Sequence, residues 1–171
     1  SSFPDVDYLN HWEYPVPDPY SVCYTVSEEQ SRVRGTERSI MTMIQAIAYR
    51  STVAPKDEHP ANEPAWTKEF PKTSYPTTPA DILQEAIWSA FARKTDAIGF
   101  HGWCALYDGM IINLRHDLDR YQCADPTAIK TIGRLFNEVG IPLGPLFKAL
   151  PERRMEVAVL ESDTAQFFND T

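Results

Sequence analysis

Cysteine is scarce in this chain: Cys23, Cys104 and Cys123 are the only three, and none sits at a C-x-x-C spacing. An odd, scattered set argues against a disulfide framework or a zinc knuckle and leaves at least one thiol unpaired. Positive charge is also in short supply. Lys and Arg number 16 against 24 Asp and Glu, a formal charge of -8. A nucleic-acid or anionic-membrane partner calls for clustered positive charge, and no basic cluster interleaved with aromatics is present to offset the acidic balance. No apolar run approaches the ~20 residues of a membrane span, and no secretory leader opens the chain. Internal repeats and low-complexity tracts are absent as well.

What remains is an ordinary globular composition. Apolar residues make up 43% and charged residues 23% of 171, enough for one domain with a proper core. The chain starts SSFPDVD without an initiating Met and stops at Thr171, inside what reads as a new helix. The expectation is a piece cut from a longer protein, so a missing leader says nothing about location; secretion or a periplasmic home stays open.

The most informative stretch is Asp96 to Asp108, DAIGFHGWCALYD. Its apolar run, Ala97 to Phe100, climbs into His101, Gly102 and Trp103. That pattern predicts a buried strand whose end presents polar and aromatic groups at a surface. Strands of this kind alternating with helices imply a mainly parallel sheet, where function collects at the strands' C-terminal ends.

Taken in order, DYLNHWEYP (Asp7 to Pro15) reads as a short strand ending in a polar, aromatic loop, since Pro15, Pro17 and Pro19 forbid regular pairing or helix. YSVCYTV (Tyr20 to Val26) has strand propensity but suits a rim loop equally. Glu28 and Glu29 in the polar run that follows read as a solvated face, broken by Gly35. Ile40 to Arg50, IMTMIQAIAYR, is too short for periodicity to separate strand from helix. Its β-branched Ile40, Thr42, Ile44 and Ile47 lean towards strand, which makes Gln45 a buried amide or a site residue. Ser51 to Thr77 is a proline-rich loop, of the length that often serves as a lid or binding loop, with Trp66 as its tether.

The most secure helix is Thr78 to Lys94. Thr78 can cap it, Pro79 suits its first position, and Asp81 completes a variant capping box. Leu83, Ala86, Ile87, Ala90 and Phe91 form its buried stripe, with Trp88 at the edge. After the strand at Ala97, HDLD brings His116, Asp117 and Asp119 together, a weak metal pattern better read as an exposed polar loop. A further helix opens at Asp125–Pro126, buries Ile129, Ile132, Leu135, Phe136 and Val139, and ends at Gly140. A short helical segment through Leu146 and Phe147 follows. MEVAVL (Met155 to Leu160) reads as a strand, with Ser162 or Asp163 capping another helix.

This order resembles the final third of a (β/α)8 glycoside hydrolase barrel running into a Rossmann-like or glutamine-amidotransferase-like domain. The likeness rests on DYLNHWEYP as a sixth strand, IMTMIQAIA as a seventh, and SYPTTPADILQEAIWSAFARKTDAIGFHGW as the capped helix and eighth strand. The proline-rich exit VGIPLGPLFKALP and the strand MEVAVLES complete it. It implies an α/β fold in which residues 1–150 are the last strands and helices of a TIM barrel and 151–171 the linker and first strand and helix of a following domain.

Glycoside hydrolysis needs two carboxylates, one as acid and one as nucleophile or base. The resemblance offers Glu13, at a strand end between Trp12 and Tyr14, with Asp108 as second choice. A second carboxylate on an earlier strand would lie upstream of Ser1. At the seventh-strand position, where such families place a nucleophile, this chain has Gln45, an amide that binds a hydroxyl but cannot attack. His11, Trp12, Tyr14, Gln45, His101 and Trp103 would line a sugar site, aromatic faces stacking on the rings. The expectation is an O-glycosyl hydrolase acting on a carbohydrate substrate, with no cofactor and no metal. The alternatives are a non-catalytic glycan-binding barrel, favoured by Gln45, and a small α/β interaction domain.

Overall fold

A computed structural model describes residues 6–16, 18–53, 65–106 and 121–151 and, of Trp66, only the backbone. The segment HDLD, the strand MEVAVL and Asp108 lie outside the described residues.

Three parallel strands form the centre. β1 (Tyr8–Glu13) pairs with β2 (Ser39–Gln45) from Tyr8↔Ser39 to Glu13↔Ile44, and β2 pairs with β4 (Ala97–His101) from Met41↔Ala97 to Gln45↔His101. The sheet order is therefore β1-β2-β4. A second, two-stranded parallel sheet joins β3 (Tyr75–Pro76) to β5 (Tyr121–Gln122). An isolated antiparallel bridge, Ile47↔Thr77, links the chain after β2 to the chain after β3. All three long strands end at the same side of the molecule, as the apolar runs of β2 and β4 imply.

Strand alternation sorts the side chains onto two faces. Leu9, His11 and Glu13 share a face with Ile40, Thr42, Ile44, Ile98 and Phe100, by register. Two helices, α1 (Ser21–Val33) and α4 (Ala80–Ala92), pack on this face, with the short helices α2 (Arg50–Val53) and α3 (Trp66–Glu69) between them in the chain. Val22 and Val26 of α1 and Leu83, Ala86 and Ile87 of α4 are wholly buried with Ile40 and Ile44. Each such aliphatic side chain contributes about 1.5–3 kcal/mol on leaving water. The helix α5 (Ala128–Leu135) adds Ala128, Ile132 and Leu135 to the same core.

The closed barrel is not formed. The described strands make two separate open sheets, three and two strands wide, and the ladders end at β1 and β4. Closure would need a ladder running on from both of those edges; the fold class is a small open α/β domain instead.

Local expectations fail in four further places. Tyr20 to Val26 is the start of α1, not a strand or rim loop. Val22, Val26 and Glu29 recur at helical spacing and turn one face inward, so burial overrides the β-propensity of Val, Tyr and Thr. Glu29, expected in solvent, is 5% exposed. Gly140 does not end its helix: the chain passes from α5 through a π turn (Phe136–Gly140) into α6 (Ile141–Ala149), with Gly140 at φ -59°.

The capping of α4 also differs. Thr78 donates its hydroxyl to the carbonyl of Gln45 (3.1 Å), and the first helical N–H, that of Ala80, is accepted by Oδ2 of Asp125 (2.9 Å). Asp125 meanwhile accepts the N–H (2.9 Å) and hydroxyl (2.6 Å) of Thr127 through Oδ1 at the head of α5. One carboxylate thus serves the starts of two helices. Burial would raise its pKa, but the hydroxyl of Thr127 and the two N–H donors outweigh that and hold it below the usual carboxylate range.

Candidate functional site

Two arrangements gather the candidate residues at the C-terminal ends of the strands, and they lie on opposite faces of the sheet. The first is aromatic. Trp12 and His101 come from the two outer strands and meet across β2, ring centroids 4.3 Å apart and tilted by 31°. Gln45, paired in register with His101, shares their face and is buried. Gly99 makes room beneath: a Cβ there would stand 3.0 Å from both Sδ and Cε of Met43.

A row of tyrosines extends this rim towards the second sheet. Tyr14, just past β1, stacks on Tyr49, just past β2 (6.1 Å, 20°). Tyr49 meets Tyr75 edge-on (5.7 Å, 70°), and Tyr75 leans on Tyr121 (4.8 Å). Tyr14 and Tyr49 are 47% and 46% exposed, so the outer half of the row faces solvent. Partial burial, with the phenol of Tyr14 beside it and hydrogen-bonded to it, holds the Tyr49 hydroxyl protonated above the ordinary tyrosine range. Tyr49, Tyr75 and Tyr121 escape sequence reasoning because they sit in different loops and strands; only Tyr14 was marked by its strand-end position.

The second arrangement is acidic. Glu13 and His11 point to the helix-covered face, away from Trp12. Glu13 is 3% exposed, and its Oε1 lies 3.3 Å from Nδ1 of His11 without hydrogen-bond alignment. Burial raises its pKa, while His11 and the hydroxyl of Thr25 pull it back. Glu29 comes from α1 above. Burial pushes it up to about 7; His11 lowers it, Glu13 raises it, and Arg32 lowers it. Oε2 of Glu29 and Oε1 of Glu13 are both buried without a hydrogen-bond partner. These are carboxyls buried between β1 and α1.

The remaining candidates are dispersed. Trp103 lies beyond the turn at Gly102 and packs beside Phe100 (6.0 Å), in the short 3-10 segment Trp103–Leu106. All three cysteines are unbridged, and burial raises the Cys104 thiol, the opposite of what a nucleophile needs. Among the described residues no group of three or more His, Cys, Asp or Glu could hold a metal ion, and no helix is long and apolar enough to cross a membrane.

No family model matches the chain, and no curated protein or solved structure matches it.

The expectation of a glycoside hydrolase is therefore corrected. It rested on a barrel that the sheets do not form, and no related protein supports it. The chemistry disagrees as well: Glu13 is directed into the helix layer, on the opposite side of the sheet from Trp12, Gln45 and His101, and of the strand residues expected to hold a sugar ring only His11 shares its face. The small open α/β domain, set out above as an alternative, fits the fold better.

Proposed function

We propose that this chain is an interaction domain that holds a basic segment of a partner protein across its tyrosine rim. The observation behind the reading is the stacked, half-exposed pair Tyr14 and Tyr49, extended inward by Tyr75 and Tyr121. Tyrosines offer large, rigid contact area with few rotatable bonds, and they concentrate at recognition surfaces. Rings already packed against one another lose little freedom when a partner arrives. Arg and Lys are drawn to the faces of such rings, and the chain's charge of -8 draws cationic partners from a distance.

The test titrates the protein with an oligo-arginine peptide, an oligo-glutamate peptide of equal length, and a neutral β-linked glucan oligosaccharide. The expected result is binding of the basic peptide alone, weakened by salt. Tyr49→Leu lowers its affinity about tenfold and Tyr49→Phe does not, because the ring face and not the hydroxyl meets the cation. Equal binding of oligo-glutamate overturns the reading. Retention of the oligosaccharide without the basic peptide would replace it with glycan binding.

A further inference from the structure

At the opposite end of the sheet from the tyrosine rim lies a groove of about 330 Å³, between the start of β4, the end of α4 and the helix α6. Its floor is aromatic. Phe91 contacts Phe136 edge-on (5.8 Å) and stacks with Phe147 (6.0 Å, 20°), and Ile98 closes one side. The apolar surface continues outward along α6, where Ile141 is 70% exposed and Leu146 and Leu150 are also exposed. No residue of α6 is buried, although most of its sequence is apolar.

The mouth is cationic. Lys148 and Lys94 both line it, with Asp96 between them. Asp96 is already engaged: Oδ2 accepts the N–H of Ile40 (2.9 Å) and Oδ1 pairs with Lys148. Among the described residues Lys94 pairs with no carboxylate; its Nζ donates to the neutral carbonyl of Leu150. One positive charge at the mouth is thus left without a countercharge in this cluster.

Lys94 also ends α4: at φ 58° it holds the left-handed place of a Schellman cap, its own N–H on the carbonyl of Phe91 (3.0 Å) and that of Thr95 on the carbonyl of Ala90 (3.2 Å), a place that glycine fills without cost.

We infer that this groove binds an amphipathic anion, a carboxylate with a medium-length alkyl chain, with the chain on the phenylalanines and the head group at Lys94. The volume falls in the range of small-molecule sites, and a mostly apolar lining with one placed charge is their usual chemistry. The domain's overall negative charge slows an anion's approach as it speeds a cation's, and both effects fade as salt rises, so the local contact with Lys94 decides.

The same geometry supplies variants that spare the fold. Lys94→Gly relieves the left-handed backbone while removing the cation. Gly144 lines the groove, and a Cβ there meets nothing within 4 Å, so Gly144→Leu enters open space and occludes the site.

The experiment is calorimetric titration of the whole chain with decanoate, decylamine and decanol, each below its micelle concentration. Decanoate is expected to bind one to one and more tightly than decanol or decylamine. Lys94→Gly should weaken decanoate about tenfold, as loss of a charge-assisted contact does, and leave decanol unchanged. Gly144→Leu should abolish binding of all three, with the melting temperature of both variants kept or raised. Decylamine binding as tightly as decanoate overturns the assignment, as does undiminished binding to either variant or no binding of decanoate.

Discussion

Gly102 and Ile47 touch where the chain turns out of β4: a Cβ built on Gly102 would lie 2.5 Å from Cγ2 and 2.9 Å from Cγ1 of Ile47. Gly102 is also at φ 76°, a conformation that side chains resist. Backbone and packing therefore both demand glycine at this turn. Gly102→Ala is expected to cost at least about 2 kcal/mol, strain and overpacking together. Gly35 provides the control, because it has the same φ of 76° with nothing within 4 Å. Gly35→Ala should cost only about 1 kcal/mol. Denaturant midpoints of the two variants separate the terms; equal losses would mean that Ile47 simply moves aside.

Glu29 makes stability depend on pH. Its folded pKa, near 7, stands above the ordinary 4.5, so the folded state holds this proton more tightly than the unfolded chain does. The contribution is fully present below pH 4.5 and is lost as pH rises through about 7. The displacement corresponds to at most about 3 kcal/mol. Glu13 on β1 acts in the same direction, and His11 on β1 and Arg32 on α1 oppose it. In Glu29→Gln the decline between pH 5 and pH 8 should shrink by about 2 kcal/mol or more. Urea melts at both pH values measure it, and an unchanged slope would clear Glu29.

Asp125 acts with the opposite sign. Its pKa is held below 3.8 in the folded state, so its contribution is present above that value and fades as pH falls through the depressed folded pKa. Asp125→Ala removes the acceptor for the first N–H of α4 and for the head of α5. The expected loss is about 1–2 kcal/mol at pH 7, the scale of a helix cap. The penalty should shrink in acid, where the wild type has itself lost the charge, and melts recorded at pH 7 and pH 2.5 would show whether it does.

Thr77 joins three segments through one hydroxyl. It donates to the carbonyl of Ala105 (2.5 Å), lies 3.2 Å from that of Gln122, and accepts the N–H of Ala124 (3.0 Å). Thr77→Val keeps the shape and deletes the hydroxyl, leaving buried backbone groups without this partner. A loss of about 1–3 kcal/mol is expected. Thr77→Ser, which keeps the bonds, should recover most of it when the two are compared by thermal unfolding.

The three long strands and the best helix were legible in the sequence because their signals are local. The β-branched run of β2, the apolar run of β4 and the stripe Leu83, Ala86, Ile87 and Ala90 each depend on neighbours a few residues away. Trp12 and His101 were likewise marked by their places at strand ends. The tyrosine row was not, since Tyr49, Tyr75 and Tyr121 become neighbours only when two sheets are brought together. Resemblance of wording to a barrel misled for a similar reason. The same parallel strands and covering helices occur in open and closed sheets, and closure depends on edges that no single stretch encodes.

Composition and local pattern by themselves determined a parallel α/β domain with its strand ends on one side and an acidic balance overall. Tertiary structure alone decided which face each of those strand-end residues occupies, and so put Glu13 beneath α1, beside Glu29 of that helix, while Trp12 and His101 meet on the other side. The physical reason is that alternation along a strand assigns residues to two faces but does not say which face a helix will cover. That choice follows from the summed burial of Val22, Val26, Leu83 and Ile87 against Ile40 and Ile44, contacts between residues far apart in the chain.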